Sequence, residues 1–175
     1  MIKPQDILCA LLIRLRPEAW NYATLAAHTG LSVSQNHASC KRLRESRLLR
    51  QDPTTGWMVS AANLTEFLVH GVPYVFPGRI GEPTRGIPTA YAAPFVAEAF
   101  ANVQATPLVW PTMEGTVKGN ALDPLHPCQV HSLSMPGNEP LYRALVCIDF
   151  LRIGQSRERT WATTTLTAIL AHARD

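Results

Sequence analysis

Apolar residues fall at helical spacing from the start of the chain. Ile7, Leu8, Leu11, Leu12 and Leu15 recur at i, i+3/i+4, which predicts a helix with one buried stripe. Pro4 suits its first turn, Arg14 and Arg16 complement the dipole of its last turn, and Pro17 stops it. Asn21 is a natural N-cap for a second, Ala-rich helix carrying Leu25 and Ala26. Gly30 closes that helix with a residue that tolerates positive φ, and Leu31 is the apolar contact past the cap. Ser32 opens a third helix, and Gln35 three residues on completes a capping box. Asn36, Cys40 and Leu43 mark its inward face, where a buried Asn36 needs a hydrogen-bond partner.

The period then changes. Leu49-Arg50-Gln51, a Pro-Thr-Thr-Gly tip and Trp57-Met58-Val59 read as a short hairpin. Asn63 can cap a helix bearing Leu64, Phe67, Leu68 and Val72, which ends near Gly71-Val72-Pro73. Eleven prolines and six glycines crowd the 68 residues from Pro73 to Pro140. No long helix survives that density, although a short one fits around Phe95 to Val103. The segment keeps Tyr74, Phe76, Tyr91, Phe100 and Trp110 and carries little charge, so it reads as an irregular but ordered wrap. Helical spacing returns with Leu141, Leu145, Ile148 and Leu151, which stop at Gly154. Ser156 can cap a last helix bearing Trp161, Leu166, Ile169 and Leu170.

The predicted fold is therefore mainly α with a small β-hairpin wing. A winged helix-turn-helix occupies 1–60, a helix and Pro/Gly-rich wrap 61–139, and two C-terminal helices 140–175. Those last helices suit a homodimer interface, or pack back on the chain's own core. At 46% hydrophobic residues a real core can form. No apolar run approaches bilayer length, and the N-terminus lacks the organisation of a secretory signal. Four dispersed cysteines without a CxxC pair fit a reduced, cytoplasmic protein.

Charge sharpens this picture. The net charge is only +3, but residues 1–60 carry eight Lys/Arg against four acids, and five of those cations lie between Lys41 and Arg50. Such a cluster is an electrostatic footprint for phosphate when a recognition helix underlies it. The faces of the third helix that do not turn inward offer Ser32, Ser34, Gln35, His37, Lys41 and Arg42. Gln suits an adenine edge and Arg a guanine edge, while Ser, His and Lys bond phosphates or bases. Arg50, Thr54 and Thr55 at the hairpin can reach a neighbouring phosphate or the minor groove. A solvated polar face on a plain helical bundle is the alternative. Arg79, Arg85 and Lys118, beside glycines in turns, are further candidates for phosphates or an anionic partner.

The tokens KPQDIL, YATLAAHTGLSVSQ and CKRLRESRLL resemble bacterial winged helix-turn-helix regulators of the broad MarR-like kind. EFLVHGVPYVFP, TRGIPTA, VWP and YRALVCIDFLRIGQSRER are similar to a bacterial helix-turn-helix family that keeps this same extension. The chain departs from the pattern at Asn36 and Cys40, where larger aliphatics are commoner. The resemblance implies sequence-specific binding of double-stranded DNA in transcriptional regulation, with the helix from Ser32 in the major groove and a homodimer as the reader. The alternative is an antitoxin-like protein-interaction module whose Pro-rich extension clamps a protein partner.

An enzyme is not expected: the chain has no P-loop, GxSxG or HExxH motif. His126, Cys128 and His131 bring three metal-ligand types together without an obvious fourth, so neither metal nor cofactor is expected. Cys40 on the third helix could sense oxidation, but no activating neighbour is visible in the sequence.

Overall fold

A helix that is apolar all round belongs inside a protein, and the first helix here is one. In the computed structural model, which describes residues 1–16, 19–54, 56–101 and 103–172, α1 (Pro4–Leu15) buries every side chain from Asp6 to Leu15. The expected single stripe becomes a complete cylinder because Cys9, Ala10 and Ile13 fill the faces between the leucines. On one side α1 meets α2 (Tyr22–Thr29) and α3 (Val33–Glu45), and on another α7 (Glu139–Ile153). The expected stop at Pro17 lies outside the described residues. Arg14 stands in the last turn of α1 as expected. Its Nε also donates to Leu170 O at 2.7 Å, so it caps α8 (Ser156–His172) as well.

Local rules set the turn between α2 and α3. Gly30 takes φ +70°, and a Cβ on it would also strike the His131 ring at 2.9 Å. Asn36 is fully buried and fully used. Its Nδ2 donates to Thr29 Oγ1 (3.1 Å), Leu31 O (3.2 Å) and Ser32 O (3.0 Å), and its Oδ1 accepts the Cys9 thiol (3.3 Å). The polar residue at this buried position knots the turn to both helices.

Past α3 the chain turns through Arg47 at φ +59°, and Leu48 N–H returns to Leu43 O at 2.9 Å in a Schellman closure. Arginine sits there where glycine is the unstrained choice. Arg47→Gly is therefore expected to stabilise the fold by about 0.5–1 kcal/mol, read as a higher urea midpoint at unchanged m-value. β1 (Leu49–Asp52) and β2 (Gly56–Val59) then pair antiparallel, Leu49 opposite Val59. α4 (Ala61–His70) starts at Ser60, whose Oγ accepts Asn63 N–H. Asn63 is not the expected cap: it bonds Arg47 O at 2.9 Å instead. Gly71 ends α4 as expected, and one further turn, α5 (Val72–Val75), follows.

The Pro-rich stretch corrects the expectation of an irregular wrap. β3 (Ile80–Thr89) pairs antiparallel with β4 (Leu108–Pro111) and β5 (Val117–Leu122), and β4 and β5 pair in parallel, closing a three-stranded barrel. Proline fits here because its fixed φ is compatible with extended backbone, and Pro83 lies at the register shift between β3 and β5. Gly86 is buried where β3 passes from one partner to the other, and a Cβ there would run into the Trp110 carbonyl. Arg85 and Lys118 lie directly opposite one another on β3 and β5, not in turns. The short helix expected around Phe95 reduces to two 3-10 turns, Ala90–Ala92 and Pro94–Val96.

After α6 (Gln129–Ser134), α7 runs through the centre. It ends at Gly154 as expected, and Ser156 is the first residue of α8. Its Asp149, 2% exposed, accepts from Thr89 Oγ1 and Trp110 Nε1 (both 2.7 Å) and from Arg152 Nη1 (2.8 Å). Arg152 also donates to Phe76 O (2.9 Å) and Asp123 O (3.0 Å). This buried pair ties α5, β3, β4 and β5 to α7. The stripes of α7 and α8 face the chain's own core, so the core is continuous across 60/61 and 139/140. Among the described residues the chain is mixed α/β rather than mainly α, with eight α-helices, a β-hairpin and the small barrel. No helix among them is long and apolar enough to cross a membrane.

Candidate nucleic-acid interface

One face of α3 is left to solvent. Ser32, Val33, Ser34, Gln35, His37 and Lys41 are all exposed, while Asn36, Ser39, Cys40 and Leu43 are buried against α1 and α2. The capping box forms as expected. Ser32 N–H donates to Gln35 Oε1 (2.9 Å) and Gln35 N–H to Ser32 Oγ (3.2 Å). It leaves the Gln35 side-chain NH2 and the Ser32 hydroxyl proton for an outside partner. Ser34, His37, Lys41 and Arg44 follow at i, i+3, i+7 and i+10, a single stripe up the helix.

Arg42 does something else. Its Nε and Nη2 grip the two oxygens of Asp6 at 2.7 and 2.6 Å, and Nη2 also donates to Ser39 Oγ at 3.2 Å. The fork binds α3 to the first turn of α1, and the Asp6 carboxylate holds the Arg42 guanidinium all the more firmly protonated. Of the hairpin residues, Arg50 pairs with Met58 on the face opposite the buried Leu49 and Val59, so it points outward. Thr54 is exposed at the tip, with its N–H turned back to Asp52 Oδ1 at 2.9 Å. Thr55 lies outside the described residues.

Sequence reasoning missed the border of this surface. The guanidinium of Arg44 lies over the Trp57 ring at 5.0 Å. Trp57 O accepts Trp20 Nε1 at 3.0 Å, Trp20 meets Tyr22 edge-on at 5.6 Å, and Tyr22 meets the His37 ring at 5.2 Å. Extending the helical stripe upward from Ser34 is the sequence signal that finds Arg44. The aromatic arc is set by the tertiary fold.

The other candidate chemistry is used locally. His126 Nδ1 accepts the Cys128 N–H at 3.2 Å, and burial lowers the affinity of its ring for a proton. His131 Nε2 lies 2.9 Å from Ala27 O, against α2. Among the described residues no three His, Cys, Asp or Glu side chains converge on a metal position. Burial pushes the thiols of Cys9 and Cys147 up to about 12 and that of Cys40 up to about 11. Cys40 is thus held as an inert thiol. Native protein treated with an Ellman-type reagent at pH 8 should release one fast equivalent, from half-buried Cys128, and four after denaturation. Fast labelling of Cys40 in the native state would contradict this.

No protein-family model, curated protein or solved structure matches this chain. The resemblance to winged helix-turn-helix regulators therefore rests on the residues alone.

Proposed function

We propose that the chain is a winged helix-turn-helix protein of bacterial, MarR-like kind that binds double-stranded DNA and regulates transcription. The carrying observation is the free face of α3. A helix of 13 residues keeps its inner side in the core and offers Val33, Ser34, Gln35, His37, Lys41 and Arg44 outward, beside a hairpin bearing Arg50. In this reading α3 lies in the major groove. Val33, about half exposed, suits a thymine methyl, Gln35 and His37 suit base edges, and Lys41 and Arg50 take phosphates. Arg42 is left out of the reading set because Asp6 holds it. Two copies on an operator pair through surfaces other than the α7 and α8 stripes.

A fluorescence-anisotropy titration with duplex DNA from upstream of the chain's own gene, against scrambled duplex, tests this at two salt concentrations. Selective binding that weakens steeply with salt is expected, because each phosphate contact releases counterions. Equal, weak binding to both duplexes would sink the regulator reading. One observation favours a protein-binding role instead: Tyr74, Val75 and Ile80, near the end of α5 and the start of β3, are 79%, 54% and 56% exposed. Stoichiometric co-purification of a second chain, lost on Tyr74→Ser, would favour that role.

A further inference from the structure

We infer that Arg44 is the phosphate anchor of α3 and that Trp57 is the residue that positions it. The inference rests on the DNA-binding reading and adds to it a residue pair that the basic cluster alone does not single out. The cations of that cluster are not equivalent. Arg42 has spent its fork on a buried carboxylate, and Lys41 is a flexible ammonium on an exposed stem. Arg44 is different: an aromatic ring backs its guanidinium, yet its hydrogen-bonding capacity is unspent. The guanidinium carbon of Arg44 lies over the Trp57 ring, 5.0 Å from its centroid, so the ring supports the group as a cation–π platform without taking any of its N–H donors in a conventional hydrogen bond. Among the described residues no acceptor takes any of them.

The platform beneath Arg44 is itself fixed. Trp57 sits on β2, opposite Gln51, and its carbonyl is held by Trp20. From Trp20 the contacts run through Tyr22 to His37, two helical turns before Arg44 on the same stripe. The arc thus leaves α3 at His37 and returns to it at Arg44, bordering the free face along its length. Arg143 and Arg157 also stack on rings, Phe95 and Phe100, but they belong to α7 and α8 rather than to this unit. A guanidinium held in place before binding loses little freedom when two phosphodiester oxygens meet its edge, so the contact is strong for a single side chain.

The test is a salt titration of duplex binding by the full chain, with thermal melts as a folding control. Arg44→Ala should lower the slope of log K against log salt by about 0.9, and so weaken binding about tenfold at 0.1 M salt. Trp57→Leu removes no charge, yet it should weaken binding in the same direction. The double variant should bind no worse than Arg44→Ala alone, because Trp57 acts only through Arg44. Trp57→Phe, which keeps an aromatic face, should recover most of the loss. Arg44→Lys leaves the hairpin untouched and keeps the charge, so the slope should hold while affinity falls. That variant carries the test should Trp57→Leu not fold. If the wild type binds with a steep salt slope and Arg44→Ala leaves that slope unchanged, the anchor is wrong and the DNA reading stands. If the effects of Arg44→Ala and Trp57→Leu multiply, Trp57 touches DNA itself and is not positioning. If the wild type binds no duplex at any salt, the inference falls together with the reading beneath it.

Discussion

Asp149→Asn is expected to cost the fold about 3–5 kcal/mol, although it removes no volume and only one charge. Every group facing the carboxylate is a donor: Thr89 and Trp110 on one oxygen, Arg152 on the other. Burial alone pushes the Asp149 carboxyl up, and Arg152 with the two donors works against it. The indole and guanidinium have no lone pair to accept a proton, so the surroundings are built for the anion. An asparagine would turn its NH2 against either the Arg152 guanidinium or the Thr89–Trp110 pair. Whichever way it turned, Arg152 would remain a buried cation with no counter-charge. Arg152 cannot simply withdraw, because it also holds the carbonyls of Phe76 and Asp123, where α5 and β5 end. For a chain of this size the cost corresponds to a melting temperature lower by roughly 6–20 °C. The barrel strands should lose hydrogen-exchange protection first. A loss below about 1 kcal/mol would mean that water reaches Arg152 and that the hub is not what joins the barrel to α7.

This hub marks the limit of what the sequence made legible. The apolar stripe of α7 can be read from Leu141, Leu145, Ile148 and Leu151, and so can its end at Gly154. The partners of Asp149 come from Thr89, 60 residues earlier, and Trp110, 39 earlier, and no local pattern carries that pairing. The α2–α3 turn shows the opposite case. Gly30, the Ser32–Gln35 box and the need of Asn36 for partners are all consequences of chemistry within a few residues, and all could be read directly. The barrel was hidden for a different reason. Proline interrupts helices and central strands, so eleven of them read as loop, whereas a short, bulged, three-stranded closure tolerates them. At the candidate interface the exposed residues of α3 followed from helical phase. The arc from His37 to Trp57 did not, because the order of Trp20, Tyr22 and Trp57 along the chain says nothing of their contacts.

Arg42→Ala separates a structural from a DNA-reading role for the cluster's most obvious cation. By residue type and spacing Arg42 belongs with Lys41 as a reader, and its removal would then weaken DNA binding while leaving stability alone. Its geometry argues the reverse. Asp6 is fully buried in the first turn of α1, and besides Arg42 it has the backbone N–H of Lys3 at 2.8 Å. Removing the fork strands a buried carboxylate with one hydrogen bond and the helix N-terminus for support. The side chain of Arg42 is 18% exposed, so water can enter the vacated space and moderate the loss. The expected cost is about 2–3 kcal/mol, less than for a sealed pair. That corresponds to a melting temperature lower by roughly 5–10 °C. Arg42→Lys, which keeps the charge but not the fork, should fall between the two. Under the proposed function, duplex binding measured well below the melting transition should keep the wild-type salt slope, since no phosphate contact has been removed. An unchanged melting temperature with a slope lower by about 0.9 would return Arg42 to the proposed DNA-reading face. It would also mean that Asp6 can be buried in α1 without a guanidinium beside it.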